Sequence, residues 1–230
     1  MKLSWMGHSG FLLTYEGKKI IIDPFVNGNC NFPANLANEI KDPDYILITH
    51  GHPDHVGDSI NLYNSDKTKV IANVEICNWL ATQSVSNCIH MNIGGTFADD
   101  DIQITMVEAL HSSSIVSGGQ ALYGGLASGY IIKYKDIVIY HFGDTEIFEN
   151  MKLIEKRYKP KIGLIPIGGR LTMSPSTAAS ACNEYFNFKT VFPIHYGTFP
   201  MINGSAEDFV KALVKKESGK TLKPGEYIDL

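Results

Sequence analysis

A chain of 230 residues fits one domain and is long enough to bury an apolar core without disulfide bonds. Hydrophobic residues make up 44% of it and charged residues 19%, which is ordinary for a soluble globular protein. The net charge of −4 argues against a nucleic-acid-binding protein, because such proteins are usually basic. We therefore expect a single domain over residues 1–230 that does not bind nucleic acid.

The cysteines and the first residues bear on the compartment. None of the four cysteines forms a close CxxC pair, so neither a zinc ribbon nor a thioredoxin motif is indicated, and free thiols are expected. The opening MKLSWMGHSG lacks an apolar signal core, and no apolar run is long enough to span a bilayer. We expect a cytoplasmic protein with no membrane partner.

The first half of the chain alternates short apolar runs with turn signals. Strands are predicted over residues 1–6, 11–15, 19–23, 45–49 and 70–73. Helices are predicted over residues 58–63 and 74–84, and a loop rich in Asn, Gly and Pro over residues 26–39. The strand that begins at Tyr45 leads directly into His50.

The second half continues in the same manner. Strands are predicted over residues 102–109, 130–134, 137–141, 162–167 and 191–194. Ser174-Pro175 predicts the start of a helix that runs to about residue 186, and a last helix is predicted over residues 206–218. Residues 112–129 are rich in Ser and Gly and are predicted to be a loop. This pattern favours a layered α/β protein over a doubly wound parallel sheet.

The segment Thr49-His50-Gly51-His52-Pro53-Asp54-His55 is the strongest chemical signal. Neutral imidazole and carboxylate are the usual protein ligands of zinc and similar divalent metals. The chain has only 8 histidines, so chance clustering of three of them after one buried strand is a poor explanation. The alternative is a solvated turn that happens to be rich in histidine.

Three further candidates occupy comparable places, where a predicted apolar strand gives way to a loop. They are His111, Asp144 and His195. Each alone would be an ordinary loop residue. Together with the His-rich segment they supply a complete set of metal ligands.

These motifs resemble those of a known family. HGHPDH is similar to the HxHxDH signature of the metallo-β-lactamase superfamily, and the likeness continues in order through His111, Gly143-Asp144-Thr145 and His195. Residues 20–24 resemble the early strand-plus-Asp motif of that superfamily. More narrowly, the Gly7-His8-Ser9 motif and residues 193–198 resemble a branch of metal-dependent hydrolases related to ascorbate-6-phosphate lactonase.

The resemblance implies an α/β fold in the form of a four-layer αββα sandwich with mixed sheets and a two-metal site at one edge. Zinc is the default ion, with manganese or iron as alternatives. The implied ligands are His50, His52 and His111 for the first metal, Asp54, His55 and His195 for the second, and Asp144 for both. Asp54 is also the candidate catalytic residue, because it could orient the attacking water or take up its proton.

Other residues have two interpretations each. Asp23 either braces the His-rich segment through hydrogen bonds or is a turn aspartate before a proline. His8 either approaches the metals or substrate or is a structural turn histidine. Tyr196 either donates a hydrogen bond to an oxyanion or packs as an aromatic, and Arg170 either pairs with an anionic group or lies on the surface. The predicted loop 112–129 either lines the pocket or acts as a lid.

The function that the resemblance implies is hydrolysis of a small cytoplasmic ester, lactone or phosphoester by a hydroxide that bridges two metals. A non-catalytic metal-binding or sensing protein is the alternative. The sequence is compatible with a homo-oligomer and does not set the oligomeric state. A nuclease is disfavoured because no basic surface or RNA-binding element is visible. A di-iron redox protein is disfavoured because such relatives typically carry glutamate where this chain has His52.

Overall fold

The structure, a computed structural model, describes residues 1–230. The spatial contacts between residues divide the chain into two compact units. Unit 1 comprises residues 1–92, 112–127 and 222–230, and unit 2 comprises residues 93–111 and 128–221. The expectation of one domain over residues 1–230 stays a prediction.

The main sheet of unit 1 has seven strands. They are β1 (Lys2–Trp5), β2 (Phe11–Tyr15), β3 (Lys18–Ile22), β4 (Tyr45–Leu47), β5 (Lys69–Asn73), β6 (Cys88–Met91) and β15 (Tyr227–Asp229). Their order across the sheet is β15-β1-β2-β3-β4-β5-β6. The strands from β3 to β6 run parallel, whereas β15, β1, β2 and β3 pair antiparallel.

Three helices belong to unit 1: α1 (Pro53–Val56), α2 (Ser59–Leu62) and α3 (Val74–Thr82). A 3-10 turn, Ala34–Leu36, interrupts the predicted loop 26–39. The apolar runs of β3 and β4 are fully buried, as parallel strands covered on both faces require. The side chain of Asn73 caps α3 by accepting a hydrogen bond from the Ile76 N–H at 2.9 Å.

Unit 2 is built on a six-stranded mixed sheet. Its strands are β7 (Thr96–Asp99), β8 (Ile102–Glu108), β11 (Ser128–Tyr134), β12 (Ile137–His141), β13 (Ile162–Pro166) and β14 (Thr190–Ile194), and its helices are α4 (Met151–Tyr158), α5 (Pro175–Tyr185) and α6 (Ala206–Ala212). The strand order is β14-β13-β12-β11-β8-β7. Strands β12, β13 and β14 are parallel, and the remaining pairs are antiparallel.

An aromatic cluster fills the core of unit 2. The Tyr140 and Phe142 rings stack with their centroids 3.8 Å apart, and Phe186 and Phe188 pack beside them. Helix α5 begins as predicted, with the Ser174 hydroxyl accepting from the Thr177 N–H at 3.1 Å and Pro175 in the first turn. These apolar contacts hold the sheet against its helices.

The prediction of a loop over residues 112–129 is wrong. This segment contains a hairpin, formed by β9 (Ser114–Ser117) and β10 (Gln120–Tyr123). Gly118 and Gly119 make the two-residue turn with φ values of 57° and 78°, which most other residues cannot adopt without strain. Residues 112–127 belong to unit 1.

Other differences from the sequence analysis concern short elements. Strands β6, β7 and β15 and helices α1 and α4 were not predicted, and the helix predicted over residues 206–218 ends at Ala212, before a separate 3-10 turn at Lys216–Ser218. No helix combines the length and the apolar character that crossing a membrane requires.

Candidate metal centre

The His-rich segment of unit 1 starts where the central strand β4 ends. The Ile48 N–H donates to the Ile71 carbonyl at 3.1 Å, so the chain is held in the sheet up to that point. His50 follows and is fully buried. Pro53 then opens the helical turn α1, with His52 as its N-terminal cap residue and Asp54 in its first turn. Strand end and helical turn together bring four candidate ligands into one loop.

Asp23 organises this loop from below. Its carboxylate accepts hydrogen bonds from the Thr49 N–H at 2.9 Å, the Thr49 hydroxyl at 2.7 Å and Nδ1 of His55 at 2.7 Å. Asp23 and His55 are both fully buried. Because a carboxylate can only accept, His55 carries its proton on Nδ1, and its Nε2 is left with a lone pair. This is the arrangement in which a histidine binds a metal.

His50 and His52 turn their rings toward each other. Nε2 of His50 lies 2.9 Å from Nδ1 of His52, and Nδ1 of His50 lies 3.0 Å from the Thr49 hydroxyl. On the other side of the His52 ring, Nε2 lies 3.4 Å from the Ser112 hydroxyl. One nitrogen of each ring thus has a hydroxyl partner, and the two other nitrogens converge.

His8 lies in the same cluster of unit 1. Its side chain is fully buried, and its Nε2 lies 3.0 Å from Oδ2 of Asp54. Ligand atoms of His8, Asp54 and His55 all lie within 4.8 Å of one another. The backbone at His8 has φ 54°, and the Trp5 indole N–H donates to its carbonyl at 3.1 Å. His8 is therefore positioned beside a candidate ligand, while its role stays a prediction.

Unit 2 brings its three candidate ligands together at one edge of its sheet. His111, Asp144 and His195 follow β8, β12 and β14, three strands that point the same way, so their ends lie at one edge. Oδ2 of Asp144 lies 2.9 Å from Nε2 of His195 and 3.6 Å from Nε2 of His111. Asp144 and His195 are buried, whereas His111 is partly exposed.

Two further residues support this edge: Thr145, which belongs to the Gly143-Asp144-Thr145 motif, and Gly168, which no motif indicated. The fully buried Thr145 accepts from the Leu110 N–H at 2.9 Å and so ties the His111 segment to the Asp144 segment. Gly168 packs against His195: a Cβ at this glycine would lie 2.6 Å from the His195 carbonyl and 3.0 Å from its Nδ1. The local sequence does not show these supporting contacts, because each residue acts on a distant segment.

The donor set fits a divalent metal. The seven candidate ligands offer five imidazole rings and two carboxylates, a mixture suited to zinc and also to manganese or iron. The Asp23–His55 hydrogen bond fixes the ring nitrogen that faces a metal, as carboxylate partners of metal-bound histidines do. Each unit by itself holds part of this set in close contact.

The remaining candidates lie outside these clusters. Arg170 is exposed in the segment that follows β13. Tyr196 is half-buried against the core of unit 2, and burial raises the pKa of its hydroxyl, which therefore stays protonated at neutral pH. His141 is fully buried, and its Nδ1 accepts from the Gly143 N–H at 3.1 Å, while His90 is exposed on β6. Substrate roles for Arg170 and Tyr196 stay predictions.

Known proteins are similar to this chain in sequence and in fold. The β-lactamase superfamily domain family matches residues 18–196. A UPF0173 metal-dependent hydrolase from Chelativorans sp. is 40% identical over 234 residues, which cover 100% of both chains. A UPF0173 metal-dependent hydrolase from Koribacter versatilis is 41% identical over 228 residues, covering 98% of this chain and 97% of the relative.

Among solved structures, Igni18, described as a novel metallo hydrolase from the hyperthermophilic archaeon Ignicoccus hospitalis, superposes with a TM-score of 0.85. It is 32% identical, and the match covers 99% of this chain and 97% of that chain. The predicted α/β class with mixed sheets and the predicted fold family are confirmed.

Proposed function

Since the chain belongs to the metallo-β-lactamase superfamily, with metal-dependent hydrolases among its relatives, we propose that it hydrolyses a small ester, lactone or phosphoester at a centre for two divalent metals. That it is a metal-dependent hydrolase follows from the family. The number of metals, their identity, the ligands and the substrate class are our proposal. The narrower likeness to the branch related to ascorbate-6-phosphate lactonase is also kept as a proposal.

The proposed ligand assignment follows the family motif. It gives His50, His52 and His111 to the first metal, Asp54, His55 and His195 to the second, and Asp144 to both. Zinc is the proposed ion, with manganese or iron as alternatives, since the second site is richer in oxygen. When bound, such a pair of ions lowers the pKa of a shared water and polarises the substrate oxygen.

The observation that supports the proposal most is the hydrogen bond between Asp23 and His55. Both side chains are fully buried at 2.7 Å from each other, and nothing in an apolar core requires such a pair. It leaves Nε2 of His55 with a lone pair on the side of Asp54, whose Oδ2 lies 3.8 Å away. A buried carboxylate that presets a histidine tautomer is typical of a metal centre.

The chain's own residues have further proposed tasks. Asp54 is the proposed catalytic residue, because its carboxylate is partly exposed and can accept a proton from the attacking water. His8 holds that carboxylate in place through its 3.0 Å contact. Tyr196 packs against the core of unit 2, and donation of its hydroxyl proton to a developing oxyanion is kept only as a proposal beside that packing role.

Metal analysis combined with a substrate screen tests the proposal. We expect the purified protein to carry up to two divalent ions per chain by elemental analysis, and the loaded protein to hydrolyse members of an ester, lactone, thioester and phosphoester panel. Removing the ions with a chelator should abolish turnover, and adding them back should restore it. A protein that holds no metal and takes up none would refute the proposal. Metal uptake without turnover on any panel member would favour the non-catalytic metal-binding alternative.

A further inference from the structure

One face of the β9–β10 hairpin is apolar and exposed. Ser114 pairs with Tyr123, and Val116 with Ala121, and cross-strand partners share a face. These four residues form what we call the outer face. Val116 is 55% exposed and Tyr123 69%, and Ala121 is exposed as well. A contiguous exposed apolar patch, unlike single scattered apolar side chains, often marks a binding surface.

The opposite face of the hairpin is attached to unit 1 through Ile115, whereas its cross-strand partner Leu122 is 41% exposed. Ile115 is buried in the core cluster around β4 and β5. It also packs against the His-rich segment, since a Cβ at Gly51 would lie 2.8 Å from its Cγ1. The Gly51 N–H donates to the Ser113 hydroxyl at 3.1 Å. The hairpin is therefore attached directly to the loop that carries the candidate ligands.

The base of the hairpin lies beside a candidate ligand. Ser112 lies two residues before Ser114, where β9 begins. The Ser112 hydroxyl lies 3.4 Å from Nε2 of His52. The hairpin that carries Val116 and Tyr123 therefore starts close to His52.

The hairpin is clamped at its base. The Asn73 amide donates to the Gly124 carbonyl at 2.7 Å and to the Leu126 carbonyl at 3.1 Å. A Cβ at Gly125 would lie 2.5 Å from the Asn73 amide nitrogen, so the two segments are in close contact. These contacts favour a hairpin that is fixed in place and lines the pocket over one that moves as a lid, the two interpretations that the sequence allowed.

The segment also lacks charge. Residues 112–129 contain no Asp, Glu, Lys, Arg or His, although 19% of the chain is charged. An uncharged apolar surface gains free energy when an apolar group covers it, and it offers no cation to an anionic substrate.

We propose that the outer face binds the apolar part of a neutral substrate, namely an ester or lactone of a carboxylic acid with an alkyl or aryl group. This inference rests on the proposed function and narrows its substrate class. Water adds to the acyl carbon, the acyl–oxygen bond breaks, and the products are a carboxylic acid and an alcohol. Phosphoesters, which are anionic, are disfavoured.

An ester series tests this proposal. The metal-loaded protein is compared on p-nitrophenyl acetate, p-nitrophenyl hexanoate and p-nitrophenyl phosphate. We expect wild type to prefer the hexanoate, and Val116→Ser and Tyr123→Ser each to lower the ratio of hexanoate to acetate kcat/KM about tenfold, the size that lost apolar contacts with a substrate produce. Val214→Ser is the matched control, because Val214 is 81% exposed in unit 2 and should leave the ratio unchanged.

Binding of hexyl phenyl ketone, which cannot be hydrolysed, separates this proposal from the hydrolase chemistry. Ligand-observed NMR should show binding to wild type that Tyr123→Ser weakens and Val214→Ser does not. If this binding pattern is observed but no ester is hydrolysed, the outer face binds apolar groups as proposed and the proposed hydrolysis is wrong. Three results would each contradict substrate binding at the outer face. They are equal losses of kcat/KM on acetate and hexanoate, a wild-type preference for the phosphate, and absence of ketone binding.

Discussion

Asp23 sits beneath the His-rich segment and accepts three hydrogen bonds in a fully buried position. Replacing it by asparagine turns one acceptor oxygen into an N–H donor facing Thr49 or His55, which donate themselves. We expect Asp23→Asn to lower the free energy of unfolding by about 2–4 kcal/mol and the metal affinity about 10–100-fold. Chelator-competition titration and denaturant unfolding measure the two effects.

Asp58→Asn is the matched control for this change. Asp58 is also a buried carboxylate, and its Oδ2 accepts from the backbone N–H groups of Val26 and Asn27 at 2.9 and 2.8 Å. We expect it to lose stability without losing metal affinity. Equal metal affinity in Asp23→Asn and wild type would show that Asp23 has only a structural role.

His8 gives a second prediction for a single side chain. Without its contact to Oδ2 of Asp54, that carboxylate is less well oriented, so His8→Ala should weaken binding of one metal about tenfold. His8→Gln keeps an N–H donor at a similar reach and should restore part of the affinity. His90→Ala changes an exposed histidine and serves as the control. Full affinity in His8→Ala would place His8 outside the metal centre.

The sequence could place the seven candidate ligands because each follows an apolar strand and belongs to a motif of the family. It could not decide between the interpretations of His8 or Asp23, since a turn histidine and a metal-supporting histidine look alike locally. Thr49 and Thr145 belong to the motifs, but the sequence does not show the hydrogen bonds that their hydroxyls make across long sequence separations.

At the scale of elements, the hairpin of residues 114–123 has a turn signal in its sequence, but the Ser- and Gly-rich composition of the segment favoured a loop. Two short runs with apolar residues flank Gly118-Gly119, a typical two-residue hairpin turn, yet the abundance of Ser and Gly indicated a loop. Strands β7 and β15 are different: each is short and lies at a sheet edge, so tertiary pairing decides its conformation. Helix α4 has a stop signal in Pro160, but no side chain caps its start, so its sequence marks only one of its ends.

Asn73 connects two elements, and its replacement should affect both. It caps α3 through its side-chain oxygen and clamps the hairpin through its amide. We expect Asn73→Ala to lower the free energy of unfolding by about 1–3 kcal/mol and to speed amide hydrogen exchange in residues 112–127. Mass spectrometry resolves that exchange by segment.

Ser174→Ala is the control for the loss of a cap alone, because Ser174 caps α5 in unit 2. It should lower the free energy of unfolding by about 1 kcal/mol without changing exchange in the hairpin. If hairpin exchange in Asn73→Ala equals that of wild type, the hairpin is held by Ile115 and Ser113 rather than by Asn73.

For the whole molecule, binding of the proposed metals should appear as a gain in thermal stability. A ligand that binds only the folded state stabilises it, by about 2.7 kcal/mol at a hundredfold excess over Kd. For a chain of this length we expect zinc to raise Tm by roughly 5–10 °C. Asp144→Ala removes a ligand that the assignment gives to both metals, so it should lose most of this shift.

Asp136→Ala is the matched control, because Asp136 is an exposed aspartate in the turn between β11 and β12 of the same unit. It should keep the full zinc-dependent rise in Tm, and scanning calorimetry with and without zinc measures both variants. The comparison also reports on the core of unit 2, since Asp144→Ala without zinc should melt in one transition close to metal-free wild type. A full zinc shift in Asp144→Ala would show that the ligands of unit 1, with His8 as an additional donor, are sufficient to bind metal.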